Sequence, residues 1–186
     1  MSVEAMQAFT ALLALAAAAL AVFVVVGRLL RTRSALLDDL FHVVDDAALW
    51  IGFLIAAVAM AGSLYFSEVA NYLPCRLCWF QRIAMYPLAV ILLIAAIRRD
   101  RGVRWYAIPL AAVGACVSIY HYLVEWHPQL EGDACDPNNP CSLVWFRQFG
   151  FVTLSLMALC GFVAIIALLL PPWRRELPEG PDRLVT

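Results

Sequence analysis

The chain has 186 residues, of which 64% are hydrophobic and 15% charged. Soluble domains run nearer half apolar and a quarter charged, so an ordinary soluble globular domain is excluded. The formal net charge of -1 says nothing about partners, and there is no basic patch for nucleic acid, no phosphate-binding glycine loop and no haem motif.

Long uncharged runs mark membrane-spanning helices of about 20 residues. Five are expected, over residues 5–27, 47–66, 80–97, 105–124 and 150–170. The first lacks a basic leader and has its arginines after it, so it reads as a retained anchor and not a secretory signal. Between the first and second runs, Ser34 to Asp46 sets Leu36, Leu37, Leu40 and Phe41 beside Asp38, Asp39, Asp45 and Asp46. This is the pattern of an amphipathic link lying on the inner membrane surface. In the second run Gly52, Ala56, Ala59 and Ser63 form a stripe of small residues suited to close helix packing. The expected organisation is an anchor and link over 1–43, a four-helix bundle over 44–170 and a Pro-rich, loosely ordered tail over 171–186.

All basic side chains are Arg. Arg28, Arg31 and Arg33 follow the first run, Arg98, Arg99, Arg101 and Arg104 follow the third, and Arg174 and Arg175 follow the fifth. Positive residues gather on the cytoplasmic side. All three clusters share that side when the N-terminus is outside and the C-terminus cytoplasmic. The opposite side is acidic, with Glu68, Glu125, Glu131, Asp133 and Asp136.

The third run opens with Cys75-Arg76-Leu77-Cys78, and Arg82 follows one turn later. A C-x-x-C pair is a redox or metal motif. A helix starting at Trp79 would lower a thiol pKa at its N-terminus. Cys78, nearer that helix, is expected to gain most, with Arg82 about 6 Å further along the axis. The competing reading is a structural disulfide or a metal half-site. Arg82 reads as a ligand or thiolate partner, or as an arginine snorkelling to the interface. Gln81 and Tyr86 are its candidate neighbours.

In the fourth run Gly114, Ser118, His121 and Glu125 share one stripe. His121 could give a hydrogen bond or proton to a ligand, or be satisfied by a neighbouring helix. Glu125 is expected to be solvated. Cys116 and Cys160 read as small apolar core residues. Trp79, Tyr120, Trp126, Trp145 and Phe146 read as an interfacial belt. His42 and His127 belong to no constellation.

Past the fourth run, Cys135 and Cys141 bracket a loop of Asp, Pro and Asn whose turns could bring the sulfurs within bridging range. The loop is acidic, aqueous and open to another protein. Alone it reads as a staple; beside Cys75 and Cys78, on one face of the membrane, it could pass electrons by disulfide exchange. A four-cysteine zinc site is the rival; no metal is expected.

The run Pro74-Cys75-Arg76-Leu77-Cys78-Trp79-Phe80-Gln81-Arg82 after the first bundle helix, with a second cysteine pair between the next two helices, resembles the disulfide bond formation protein B family. These are bacterial membrane quinone reductases that reoxidise a thioredoxin-fold thiol oxidase. Ser118-Ile119-Tyr120-His121 and the short Cys135–Cys141 spacing look like the Gram-positive-type branch. The resemblance covers roughly residues 47–170. It implies an all-α membrane bundle of four helices, here with one extra N-terminal helix, in the bacterial plasma membrane. It implies that Cys75 and Cys78 are the quinone-coupled pair, with Cys78 against menaquinone or ubiquinone and supported by Arg82; His121 is a candidate third contact. Cys135 and Cys141 would exchange with the extracytoplasmic oxidase, Cys135 being the sulfur attacked. The extra span departs from the family's four, and the second pair is closer in sequence than in the best-known branch. A vitamin K epoxide reductase-like protein is an alternative, but its C-x-x-C sits at the last core helix. A membrane scaffold with structural disulfides is the non-enzyme alternative.

Overall fold

The computed structural model describes residues 2–30, 35–132 and 135–170, with side chains from residue 40 onward in the second helix. The tail over 171–186, Ser34, Asp133 and the arginines at 31, 33, 174 and 175 lie outside the described residues.

The protein is an all-α membrane protein, with a four-helix bundle and an extra N-terminal helix. Its helices are α1 (Val3–Leu30), α2 (Ala35–Leu64), α3 (Arg76–Arg98), α4 (Arg104–Trp126) and α5 (Leu154–Leu169). Among the described residues, four helical segments are long and apolar enough to cross a membrane; α5 is apolar but shorter. Where residues 150–170 were expected to span, Phe149 and Gly150 take positive φ values of 53° and 81° and make a turn. Thr153 then caps α5 through its hydroxyl. A hydroxyl at this position satisfies one of the orphan N–H groups of a helix start.

The segment expected to link the first two spans is helical from Ala35 onward and runs without a break into α2. Two contacts explain this. Phe41 is fully buried beside Val24 and Leu168, and Asp45 pairs with Arg28 at 2.6 Å. At its other end α2 widens into a π-helical turn, Tyr65–Val69, just before the C-x-x-C segment. Such turns are frequent near functional sites.

The bundle is a ring in which α2 packs on α3, α3 on α4, α4 on α5 and α5 on α2, while α1 lies against α5 and α2. The core is built from Leu88, Leu92, Phe162 and Ile165, all fully buried. Small residues set the spacing. Ala56 of the α2 stripe is fully buried in this core, and a Cβ on Gly114 would collide with the Phe162 ring. Packing without a hydrophobic driving force between helices relies on such close approach.

Arg28 fastens the end of the bundle away from the cysteine pairs. Its Nη1 donates to the carbonyls of Ala167 (2.6 Å) and Leu170 (2.7 Å), and its Nη2 to that of Leu168 (3.1 Å). These are the unsatisfied carbonyls of the α5 C-terminus, where a cation is also favoured by the helix dipole.

Candidate functional site

Helix α3 begins three residues earlier than expected, at Arg76, and Cys75 is its cap residue in extended conformation. This changes which sulfur the helix start serves. The Cys78 N–H donates to Cys75 Sγ at 3.3 Å, so the donor geometry favours an anion on Cys75 and not on Cys78. The two sulfurs are unbonded, 2.9 Å apart. The Cys78 side-chain hydrogen bond holds the Cys75 thiol down, from 9.0 to about 5, with His121 helping and burial opposing.

His121 sits between the two cysteine pairs. Its Nε2 is 3.6 Å from Cys75 Sγ, 3.1 Å from the Cys141 carbonyl oxygen and 3.9 Å from Glu125 Oε1. One ring nitrogen therefore reaches both pairs. With its hydrogen it donates to the carbonyl or to a Cys75 thiolate; without it, it accepts from the Cys75 thiol. Glu125, expected in solvent, is 9% exposed and stands one turn beyond His121. The loop and the start of α5 fold over the end of α4 and remove it from water. The i, i+4 spacing with His121 was the available signal.

Cys135 and Cys141 are joined in a disulfide with a Cα–Cα distance of 5.9 Å. The turn is built as its composition suggests. The Asp136 carboxylate accepts from Asn138 N, and the Asp136 carbonyl accepts from Asn139 N, both at 2.9 Å. Glu131 supplies a support the sequence did not reveal, accepting from Cys141 N (2.5 Å) and Ser142 Oγ (2.7 Å). Asn139 Nδ2 donates to the Pro74 carbonyl at 3.1 Å and ties the loop to the C-x-x-C segment. The loop's polar surface is exposed as expected, but its sulfurs are not. Cys135 is 7% exposed and Cys141 0%, packed with Cys75, Leu77 and Val124.

On the other side of the C-x-x-C lies a cavity of 400 Å³ between α1, α2, α3 and α5. Of the four cysteines in the two pairs, Cys78 alone lines it, together with Gln81, Arg82 and Tyr86 near the start of α3. Aliphatic side chains such as Leu54, Val58 and Leu13 make most of the remaining wall. Arg82 donates through Nε to Ser63 Oγ (3.0 Å) and through Nη2 to the Ser63 carbonyl (3.1 Å), and lies 5.3 Å from the Trp79 ring centre. Tyr86 also donates to Ser63, at 3.3 Å. Ser63 was noted only as the end of a small-residue stripe; here it orients the guanidinium. Gln81 is turned partly aside, donating to Ser118 at 3.0 Å. Cys116 is exposed and Cys160 half-buried, so neither is the core residue expected. In the belt, Trp79, Trp126 and Trp145 are exposed as expected, and Trp145 also stacks on Tyr72 at 4.7 Å and lines the cavity.

The arrangement has a direction. The backbone carbonyl of disulfide-bonded Cys141 contacts His121, His121 contacts Cys75, Cys75 contacts Cys78, and Cys78 opens on an apolar cavity. Thiol–disulfide exchange needs a thiolate, a nearby disulfide and somewhere for the proton to go. The first and last are in place at Cys75 and His121.

No solved structure matches this chain. Among characterised sequences, it is 45% identical over 119 residues to disulfide bond formation protein C of Bacillus subtilis (strain 168), covering 63% of this chain and 86% of that protein. It is 42% identical over 123 residues to probable disulfide formation protein C 1 of Bacillus anthracis, covering 65% and 88%. Against probable disulfide formation protein C of Halalkalibacterium halodurans it is 45% identical over 114 residues, covering 60% and 82%. Residues 45–170 match the family described as disulfide bond formation protein DsbB; α1 lies outside that match. With both cysteine pairs, α3, α4, α5 and α2 from residue 45 onward inside the matched segment, the chain belongs to the DsbB family and is a disulfide-formation membrane protein.

Proposed function

We propose that the protein is a protein-dithiol:quinone oxidoreductase. Cys135–Cys141 takes two electrons from a reduced thioredoxin-fold oxidase outside the cytoplasm, and Cys75–Cys78 passes them to a membrane quinone, menaquinone or ubiquinone. The observation that carries the reading is the position of Cys78, which belongs to the cavity while its partner Cys75 belongs to the loop-disulfide cluster. The arginine distribution supports an outside N-terminus, a cytoplasmic C-terminus and both pairs on the extracytoplasmic face.

The cavity suits a quinone, with an apolar wall for a prenyl tail and polar groups from Arg82 and Tyr86 at the cysteine end. A bound quinone would supply a two-electron, two-proton acceptor. The chain's own residues do the rest. Cys75 is held as thiolate once the Cys75–Cys78 disulfide is reduced, and a low-pKa thiol leaves readily when that disulfide is attacked. In the exchange, one loop thiol attacks the Cys75–Cys78 disulfide and the other resolves the mixed disulfide, so the Cys135 and Cys141 thiols are together oxidised back to the loop disulfide while Cys75–Cys78 becomes the dithiol. His121 takes the proton released by the attacking thiol. Arg82, fixed by Ser63, holds positive charge beside the cavity, where it favours an anion on its wall. The buried loop sulfurs require the 135–141 loop to move before an outside thiol can reach them.

The reduced, purified protein mixed anaerobically with a quinone should lose two thiols for each quinone reduced. Unchanged thiol content, with the quinone still oxidised, would sink the reading and favour a scaffold with structural disulfides.

A further inference from the structure

Helix α1 lies outside the family match, yet it makes part of the cavity that Cys78 lines. Its cavity-facing residues include Thr10, Leu13, Ala14, Ala17 and Leu20. From Thr10 to Leu20 is roughly 15 Å of helix axis, so the contribution is a long wall and not a single contact. Opposite it, α2 lines the cavity from Leu54 to Ser67. Cys78 and Arg82 stand at one end, near the start of α3, and the aliphatic walls run from there toward the other face of the bundle.

This wall is pinned at both ends. At the cysteine end Gln7, 8% exposed, donates to the Tyr72 hydroxyl at 2.7 Å and accepts from Gln148 Nε2 at 3.2 Å. Tyr72 also lines the cavity. At the far end Arg28 bonds the α5 carbonyls and Asp45. A helix tethered only as an anchor would need neither attachment. Between them the wall facing the cavity is mostly alanine and leucine, which leaves room for a flexible apolar chain and offers it no polar competitor.

We propose that α1 is a structural part of the quinone site, forming the wall against which the isoprenoid tail lies, so that it sets how much a tail adds to binding. This rests on the quinone reading above. The ring end is served by Cys78 and Arg82, which α1 does not touch through any hydrogen bond described here. The effect of α1 should therefore scale with the tail and not with the ring.

The test uses the full-length protein in detergent with dithiothreitol as electron donor. It compares menadione, which has no tail, with menaquinone, which has a long one. Ala17→Trp fills the wall, and Leu13→Trp does so from the more exposed rim, which keeps the test available should Trp at position 17 prevent folding. Leu12→Trp, at a lipid-facing position 56% exposed and outside the cavity, controls for a bulky residue on α1. Either cavity variant should raise the ratio of the menaquinone KM to the menadione KM about tenfold or more, because overpacking by an indole excludes the chain. The control should leave the ratio at its wild-type value. An unchanged ratio in both cavity variants overturns the proposal and points to a lipid acyl chain as the occupant of that wall. So does an equal rise in both KM values, which marks general distortion. A wild-type protein that reduces neither quinone removes the parent reading, and this one with it; a working wild type with an unmoved ratio overturns the role of α1 alone.

Discussion

The Cys135–Cys141 loop takes its shape from turn chemistry and a few hydrogen bonds to Glu131, Asp136 and Asn139, whereas Cys75 and Cys78 are placed by the cap of a helix whose next turns are buried in the bundle core. The first pair can be uncovered by breaking a handful of local contacts. The second moves only if the bundle moves. Regions held by few buried contacts open at low free energy, and those in packed cores open only with the whole fold. The difference fits the proposed reading, in which another protein is admitted at one pair and a fixed geometry is kept toward the cavity at the other. His121 lies between the two pairs, and only one pair borders the cavity.

The comparison breaks most sharply at Cys78. Cys78→Ser should lower quinone-dependent turnover by at least roughly 10³-fold, as loss of a reacting group does. The Cys135–Cys141 disulfide should still be reducible by the protein partner, measured by trapping the mixed disulfide. Turnover within a few-fold of wild type would show that the cavity and the cysteine chain are unrelated.

The link between the pairs is next in size. His121→Ala should slow exchange from the loop pair to Cys75–Cys78 by about 100-fold, the lower range for a positioned acid–base group. Rapid quench with alkylation and mass analysis measures that step directly. An unaltered exchange rate would make His121 a packing residue.

The pH response of Cys75 sharpens the same contrast. Its folded pKa is lowered to about 5, so the thiolate is present above that value and lost as pH falls through it. Alkylation of Cys75 in the reduced protein should hold near its plateau from pH 8 down to about 6 and then fall as pH passes about 5. An ordinary thiol would already have lost most of its reactivity by pH 7, and a profile of that kind would place the thiolate elsewhere.

The smallest effect belongs to Arg82. Arg82→Ala should raise the quinone KM about tenfold, and Arg82→Lys should recover only part of it. A guanidinium can bond Ser63 through two nitrogens in a fixed fork, while an ammonium is a compact point charge. Equal KM values for all three proteins would leave Arg82 as a support for α2 packing alone.

Much of this protein is local in origin, and that part was legible in the chain. The apolar runs fix five helices because a bilayer core leaves backbone groups no partner outside a helix. The C-x-x-C, the arginine one turn on and the Asp-Pro-Asn loop announce themselves by spacing and turn chemistry. The register of α3 was misjudged by three residues because Cys75 makes a cap with its own sulfur, and thiols are not read as caps in sequence. With the cap at Cys75, the helix-start N–H of Cys78 points to the Cys75 sulfur and not to its own. Tertiary contact decided the rest. Glu125 is buried because the loop and α5 fold over the end of α4, and α2 runs on from Ala35 because Phe41 and Asp45 find partners on α1 and α5. Ser63 became a partner of Arg82, and α1 a wall of the cavity, through neighbours far away in sequence. A hydrophobic pattern says that a face will be covered. Which helix covers it, and what space is left between them, follows only from how all five pack at once.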